Sequence, residues 1–321
     1  MTSLDRPALV AHAKDSIAKG SRSFALASRL FDRETRERAW LLYAWCRKCD
    51  DLADGQDHGH GMSVIDDAAD RLSYLTGMTE AAWNGTETGE PAFDGFGLVA
   101  RECRIPRRYA DDLIAGFALD AEEWRPRSEA DLYRYCYHVA GAVGCMMAIL
   151  MGVGPEDEAV LDRATDLGLA FQLANIARDI AEDAAADRCY LPMEWLAEFD
   201  VPPGRHMAPP FRPALTTMAK RLCDASERYE ASARVGAQAL PKRSRWAVLA
   251  AAGIYGDIAH EGPRSRGPCL GPPGAHVETR KAALGGARSR AGSGDAGTGG
   301  AQGIVEPGAF RRLKSAPSRS P

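Results

Sequence analysis

Two runs in this 321-residue sequence place aspartates at helical spacing. In YAWCRKCDDLAD, Tyr43, Arg47, Asp50 and Asp54 recur every three or four residues, so a helix puts them on one face. In LGLAFQLANIARDIAED the shared face holds Gly168, Gln172, Asn175, Asp179 and Asp183. An apolar stripe runs beside each: Leu42, Cys46, Cys49 and Ala53 in the first, Leu169, Leu173, Ile176 and Ile180 in the second. Like charges four apart repel and cost an isolated helix roughly 0.2–0.5 kcal/mol. Held at an apolar border, they call for a counter-ion. Magnesium suits oxygen ligands and is typically held by one or two carboxylates plus substrate phosphate. One such DxxxD run is the ordinary look of a solvated helix face. Two in one chain, with arginine or amides attached, favour carboxylate pairs that face each other across a cavity and hold metal ions on diphosphate groups.

Other chemistries lack their residues. A di-iron bundle needs Glu-x-x-His pairs on helices, and none occurs. Gly-x-Ser-x-Gly is absent and the seven histidines are mostly dispersed, so no Ser–His–Asp unit can be argued. GSGDAG at 292–297 follows no strand and no GxxxxGK[ST] exists, which speaks against nucleotide binding. Cys46 and Cys49 form a lone CxxC; with eight scattered cysteines it reads as buried free thiols in a reducing compartment.

A third run, LYRYCYHVAGAVGCMMAIL, is apolar at helical spacing: Tyr135, Val139, Val143 (or Ala142), Met146 and Leu150. Such a stripe is usually plain core. Tyr135 at its end tips the reading toward a dry pocket wall, because a phenol ring stabilises a cation from its face and dryness protects a carbocation. Gly141 and Gly144 leave room for a second backbone or a ligand.

Positioning these residues takes helices. Periodicity predicts them over 6–19, 33–54, 63–83, 91–103, 107–119, 129–151, 156–184, 211–237 and 242–259, with breaks at Gly and Pro. Hydrophobic residues are 45% and charged residues 26%, with a net charge of −4, a globular profile that offers nothing to nucleic acid. The start, MTSLDRPALVAHAKDS, lacks an apolar leader, and Val139 to Gly154 is too short to span a bilayer. A cytoplasmic chain is expected, drawn to a membrane surface at most by a greasy substrate. The fold expected is all-α: one helical bundle over residues 1–260. Beyond it, 261–321 hold thirteen of the 32 glycines, seven prolines, and ten Lys/Arg against four Asp/Glu. That composition cannot bury enough surface to offset its ordering entropy and reads as a disordered tail. Phe310 is its single aromatic, so stacking on nucleic acid has little to use.

Taken together, GSRSFALAS (20–28), YAWCRKCDDLAD (43–54), YCYHVAGAVG (135–144), FQLANIARDIAED (171–183) and RCYLP (188–192) resemble the squalene/phytoene synthase family, its bacterial phytoene synthases most closely. The resemblance implies an isoprenoid-synthase-type bundle around a central elongated cavity. It implies Asp50, Asp54, Asp179 and Asp183 as magnesium ligands, with manganese the alternative ion, and Asn175 as an additional metal or diphosphate ligand. It implies Ser21, Ser23, Arg47 and Arg178 as diphosphate contacts, Gln172 and Tyr43 as their pocket neighbours, and Phe24, Val139 and Val143 as pocket wall. Tyr135 matches a tyrosine that stabilises cations or assists proton loss; Arg188 and Tyr190 match a signature at the pocket mouth; Tyr255 remains as a pocket residue. The implied reaction joins two geranylgeranyl diphosphates head to head through prephytoene diphosphate to phytoene, without a nicotinamide cofactor. Farnesyl diphosphate as substrate, or an inactive scaffold, are the alternatives. Family members continue past this GIYGDIA segment with a basic, tryptophan-bearing helix that is missing here, which suggests a frameshift near His260.

Overall fold

The computed structural model describes residues 5–53, 67–122 and 124–264, without the side chains of 22, 23 and 254–264. All described secondary structure is helical. The long helices are α1 (Arg6–Gly20), α3 (Arg33–Ala53), α4 (Ala68–Trp83), α5 (Pro91–Cys103), α6 (Arg108–Ala121), α9 (Glu158–Ala185), α11 (Arg212–Gly236) and α12 (Lys242–Arg264). Shorter ones are α2 (Arg22–Ala27), α7 (Glu129–Cys136), α8 (Ala142–Leu150) and α10 (Met193–Glu198).

Local chemistry sets the ends. Asp5, Asp67 and Asp157 cap α1, α4 and α9 through their carboxylates, and Ser128 and Asp131 form a reciprocal capping box on α7. Each such cap satisfies N–H groups a helix start leaves unpaired, about 1 kcal/mol apiece. At the far end of α9, Asp187 takes a left-handed φ of 57° and Arg188 N–H closes onto Asp183 O at 2.8 Å. The chain reverses there, which is how RCYLP comes back beside the aspartates.

Two apolar clusters make the core. One is built from α1, α3 to α6 and α8 around Trp45, whose ring stacks on Phe96 at 3.9 Å. The other joins α7, α9, α10 and α11 around Tyr133, Leu173 and Leu222. The seam between them is the α8–α9 crossing. A Cβ on Gly144 would lie 2.4 Å from Ala164 O, and one on Gly168 2.4 Å from Ala140 O. Only glycine permits that approach.

Three sequence expectations need correction. The helix expected over 129–151 is interrupted: Tyr137–Gly141 is a π-turn in which Ala142 N–H bonds to Tyr137 O. Asp112 of α6 anchors it, its carboxylate accepting from Tyr137 at 2.5 Å and its carbonyl from His138 Nδ1 at 2.8 Å. The wide turn shifts the register, so Met146 and Leu150 face the first core cluster, while 139, 143 and 147 face the cavity. The short helices α2 and α10 went unexpected, since six residues show no periodicity. Finally, α12 runs to Arg264, past the expected helix end at 259. Residues 265–321 of the expected tail lie outside the described residues. So do Asp54 and the early part of the helix expected from 63.

The expected free thiols are found: every cysteine among the described residues is unbridged. Burial pushes the Cys46 thiol up to about 12 and the Cys49 thiol well above its ordinary value, which leaves both inert as nucleophiles. No helix among the described residues is long and apolar enough to cross a membrane.

Candidate active site

The site has an apolar half and a polar half, two cavities lined by successive stretches of α3, of α9 with the segment after it, and of the α7–α8 unit. Along α3, Leu42, Tyr43 and Cys46 line the apolar half, and Asp50 and Ala53 the polar half. Along α9, the liners from Val160 to Asn175 are in the apolar half, and Ala186 to Tyr190 just beyond its end are in the polar half. The α7–α8 unit runs oppositely: Tyr135 is polar-side, Val139 and Val143 apolar-side. The halves enclose ≈ 380 Å³ and ≈ 480 Å³. From Arg163 to Asn175 the α9 wall is about 18 Å long, the scale of an extended prenyl chain.

The apolar half gathers six of the expected residues: Phe24, Tyr43, Val139, Val143, Gln172 and Asn175. Phe24 and Tyr43 lie ring to ring at 6.5 Å. The Tyr43 hydroxyl fits only because residue 20 is glycine, whose missing Cβ would stand 2.4 Å from it. Asn175 is the informative member. Its Oδ1 is buried and has no hydrogen-bond partner. An unsatisfied buried carbonyl costs about 1–3 kcal/mol, and a cation or ligand donor there would recover it.

One and two turns on, Asp179 and Asp183 continue the Asn175 face. Burial, then the Asp179 charge, push the Asp183 carboxyl up to about 6. Arg178 forks onto Asp179, Nε to Oδ1 at 2.6 Å and Nη2 to Oδ2 at 2.5 Å. On α3, Arg47 pairs with Asp50 at 3.3 Å and Asp51 at 2.6 Å. Both arginines expected at a diphosphate are therefore seated on aspartates of their own helix. Ser21 caps α2, its Oγ accepting from Phe24 N at 3.3 Å, and lines neither half of the cleft.

The polar half brings Asp50, Tyr135, Arg188 and Tyr190 together. Its composition contains residues that pattern reading missed: Arg71, Asp120, Trp124 and Arg125. None of them belongs to a repeating pattern, so only the packing of α6 against α4 and the π-turn reveals them. Tyr135, at the end of the expected apolar stripe, lines the polar half with these residues, whereas Val139, inside the π-turn, lines the apolar half. The Ser23 and Tyr255 side chains and Asp54 lie outside the described residues.

A divalent ion fits this donor set on chemical grounds: an orphaned amide oxygen and two carboxylates one turn apart, one held partly protonated by burial. Among the described residues no three His, Cys, Asp or Glu side chains cluster closely enough to hold an ion by themselves.

This all-helical cleft is an isoprenoid-synthase-type fold. It matches a dehydrosqualene synthase crystallised with a ligand at TM-score 0.70 and 27% identity, covering 78% of this chain and 85% of that one. It matches the squalene synthase HpnC from Alicyclobacillus acidocaldarius at TM-score 0.70 and 20% identity, over 81% and 95% of the two chains, a likeness of fold. Residues 17–278 match the squalene/phytoene synthase family, and the chain belongs to it. It is 48% identical over 257 residues to a phytoene synthase of Pseudescherichia vulneris, spanning 79% of this chain and 82% of that one. It is 47% identical over 257 residues to a 15-cis-phytoene synthase of Pantoea ananas, again 79% and 82%.

Proposed function

We propose that this chain is a prenyltransferase that condenses two geranylgeranyl diphosphates head to head. It gives 15-cis-phytoene through prephytoene diphosphate and releases diphosphate, the first committed step of carotenoid synthesis. The carrying observation is an apolar cavity long enough for prenyl chains and a polar cavity lined by Asp50, Asp120 and Asp187, both built partly from α3, in a chain 48% identical to a phytoene synthase.

Asp50, Asn175, Asp179 and Asp183, with Asp54 from its motif, would hold magnesium or manganese. Such an ion, when bound, supplies the positive charge that makes diphosphate a competent leaving group. The chain's own residues do the rest. Val139, Val143 and Phe24 exclude water from the prenyl tails and hold two chains in register, which replaces a rare bimolecular encounter. Arg47, Arg178 and Arg188 supply guanidinium groups near the diphosphates, the first two by turning from their present carboxylates. Tyr135 and Tyr190 present electron-rich rings to the allylic cation that the second double bond captures. The hydrocarbon product carries no polar group, so peripheral contact with a membrane for its hand-off belongs to the same proposal.

The test is product analysis. Purified protein with magnesium and geranylgeranyl diphosphate should yield phytoene. Product only from farnesyl diphosphate would shift the assignment to a dehydrosqualene or squalene type. No hydrocarbon from either would leave a helical scaffold.

A further inference from the structure

The polar half of the cleft holds a carboxylate outside both aspartate motifs. Asp120, in the last turn of α6, accepts a hydrogen bond from Tyr135 on Oδ2 at 3.0 Å and one from Tyr190 on Oδ1 at 2.9 Å. These phenols come from distant stretches of chain, α7 and the segment after α9. Their rings stack at 5.0 Å and 21°, and Trp124 stacks on Tyr135 at 5.7 Å and 26°. All four side chains line the same cavity as Asp50.

An ionised carboxylate has only acceptors. Both phenols donate to it, and the two hydroxyls also lie within hydrogen-bond reach of each other, so the carboxylate fixes which way the protons of the pair run. The carboxylate charge, felt through two hydrogen bonds, makes both oxygens and both ring faces more electron-rich. Burial and the nearby Asp120 charge also hold both phenols well above their usual pKa, so they stay protonated and in register. A wall of this kind stabilises positive charge and offers no acidic proton to it.

We propose that Asp120 is a positioning residue, fixing the direction of both phenol hydroxyls so that the Trp124–Tyr135–Tyr190 stack forms one cation-stabilising wall. This rests on the proposed reaction, in which substrate cations form. It assigns a role to a residue that neither aspartate motif includes.

Asp120→Asn tests it. The amide keeps the shape but has one acceptor oxygen and one donor nitrogen, so one phenol must reverse its proton. With whichever prenyl diphosphate the native chain condenses, kcat should fall about tenfold or more. KM and the magnesium concentration for half-maximal rate should move less than about twofold. In a Tyr135→Phe/Tyr190→Phe background the same Asn substitution should change kcat less than about twofold, because the groups it acts through are gone. An unchanged kcat, an equal loss in both backgrounds, or a shift chiefly in the magnesium requirement would overturn the proposal. The last two outcomes would make Asp120 act on its own, as a ligand. A native chain that condenses neither diphosphate would sink the function and this inference together, whereas an active native chain with an additive cycle sinks only the inference.

Discussion

At the scale of single residues, the cleft trades stability for chemistry. Asn175 Oδ1 is buried without a partner, so Asn175→Leu should stabilise the ion-free chain by about 1 kcal/mol. The same change should cut turnover at least roughly tenfold by removing a ligand oxygen. Denaturant melts and product assays read the two halves; an active leucine variant would remove Asn175 from the ion site. Asp183 makes the trade visible in pH. Its folded-state carboxyl titrates near 6, above an unfolded aspartate at about 3.9. Between those values the folded chain keeps a proton that the unfolded chain has released. The stability from that proton is present at low pH and is lost as pH rises through about 6. An ion needs the ionised carboxylate, so magnesium should raise the melting temperature at about pH 7.5 and do little at about pH 5. Asp183→Asn should abolish the difference; equal effects at both pH values would contradict it.

At the scale of elements, the α8–α9 crossing and the π-turn before α8 decide which side chains face the cleft. Gly144 and Gly168 set that crossing, Gly144 facing the Ala164 carbonyl of α9 and Gly168 the Ala140 carbonyl of the π-turn, each at a distance no Cβ tolerates. Gly144→Ala or Gly168→Ala should cost about 1–3 kcal/mol by forcing the helices apart. Turnover should drop too, since both glycines line the apolar half. Gly77, which has open space around its missing Cβ, is the control: Gly77→Ala should be neutral or slightly stabilising, about 0.5–1 kcal/mol. Thermal melts of the three variants suffice, and equal behaviour would show that the crossing is looser than drawn. The π-turn is where pattern reading went astray. A strict 3.6 period through Tyr135, Val139, Met146 and Leu150 ignores the extra residue that Asp112 pins in place.

At the scale of the molecule, the apolar half extends along α9 away from Asp179 and Asp183. Ala233 of α11 lines the apolar half with Arg163, about three turns of α9 from Asn175. Ala233→Phe should shorten the space for a prenyl tail. The ratio of geranylgeranyl to farnesyl turnover should fall at least about tenfold, with a packing cost of about 1–3 kcal/mol. Competition between the two diphosphates measures this directly, and an unchanged ratio would place the tail elsewhere. Surface ion pairs such as Arg6 with Glu37 and Glu102 tie α1 to α3 and α5 but contribute little individually.

Sequence alone determined the all-helical class, most helix spans and the aspartate, asparagine and glutamine faces, because helical periodicity is a local property written every three or four residues. The apolar stripes beside those faces are buried as spacing requires: Leu42, Cys49, Leu169, Leu173 and Ile176. Tertiary structure alone decided which faces line which cavity, that Tyr135 lines the polar half with Asp120 while Val139 lines the apolar half, and that Arg47 and Arg178 rest on their own aspartates. Those facts depend on contacts between residues far apart in the chain, and no pattern within one helix encodes where another helix will come to lie.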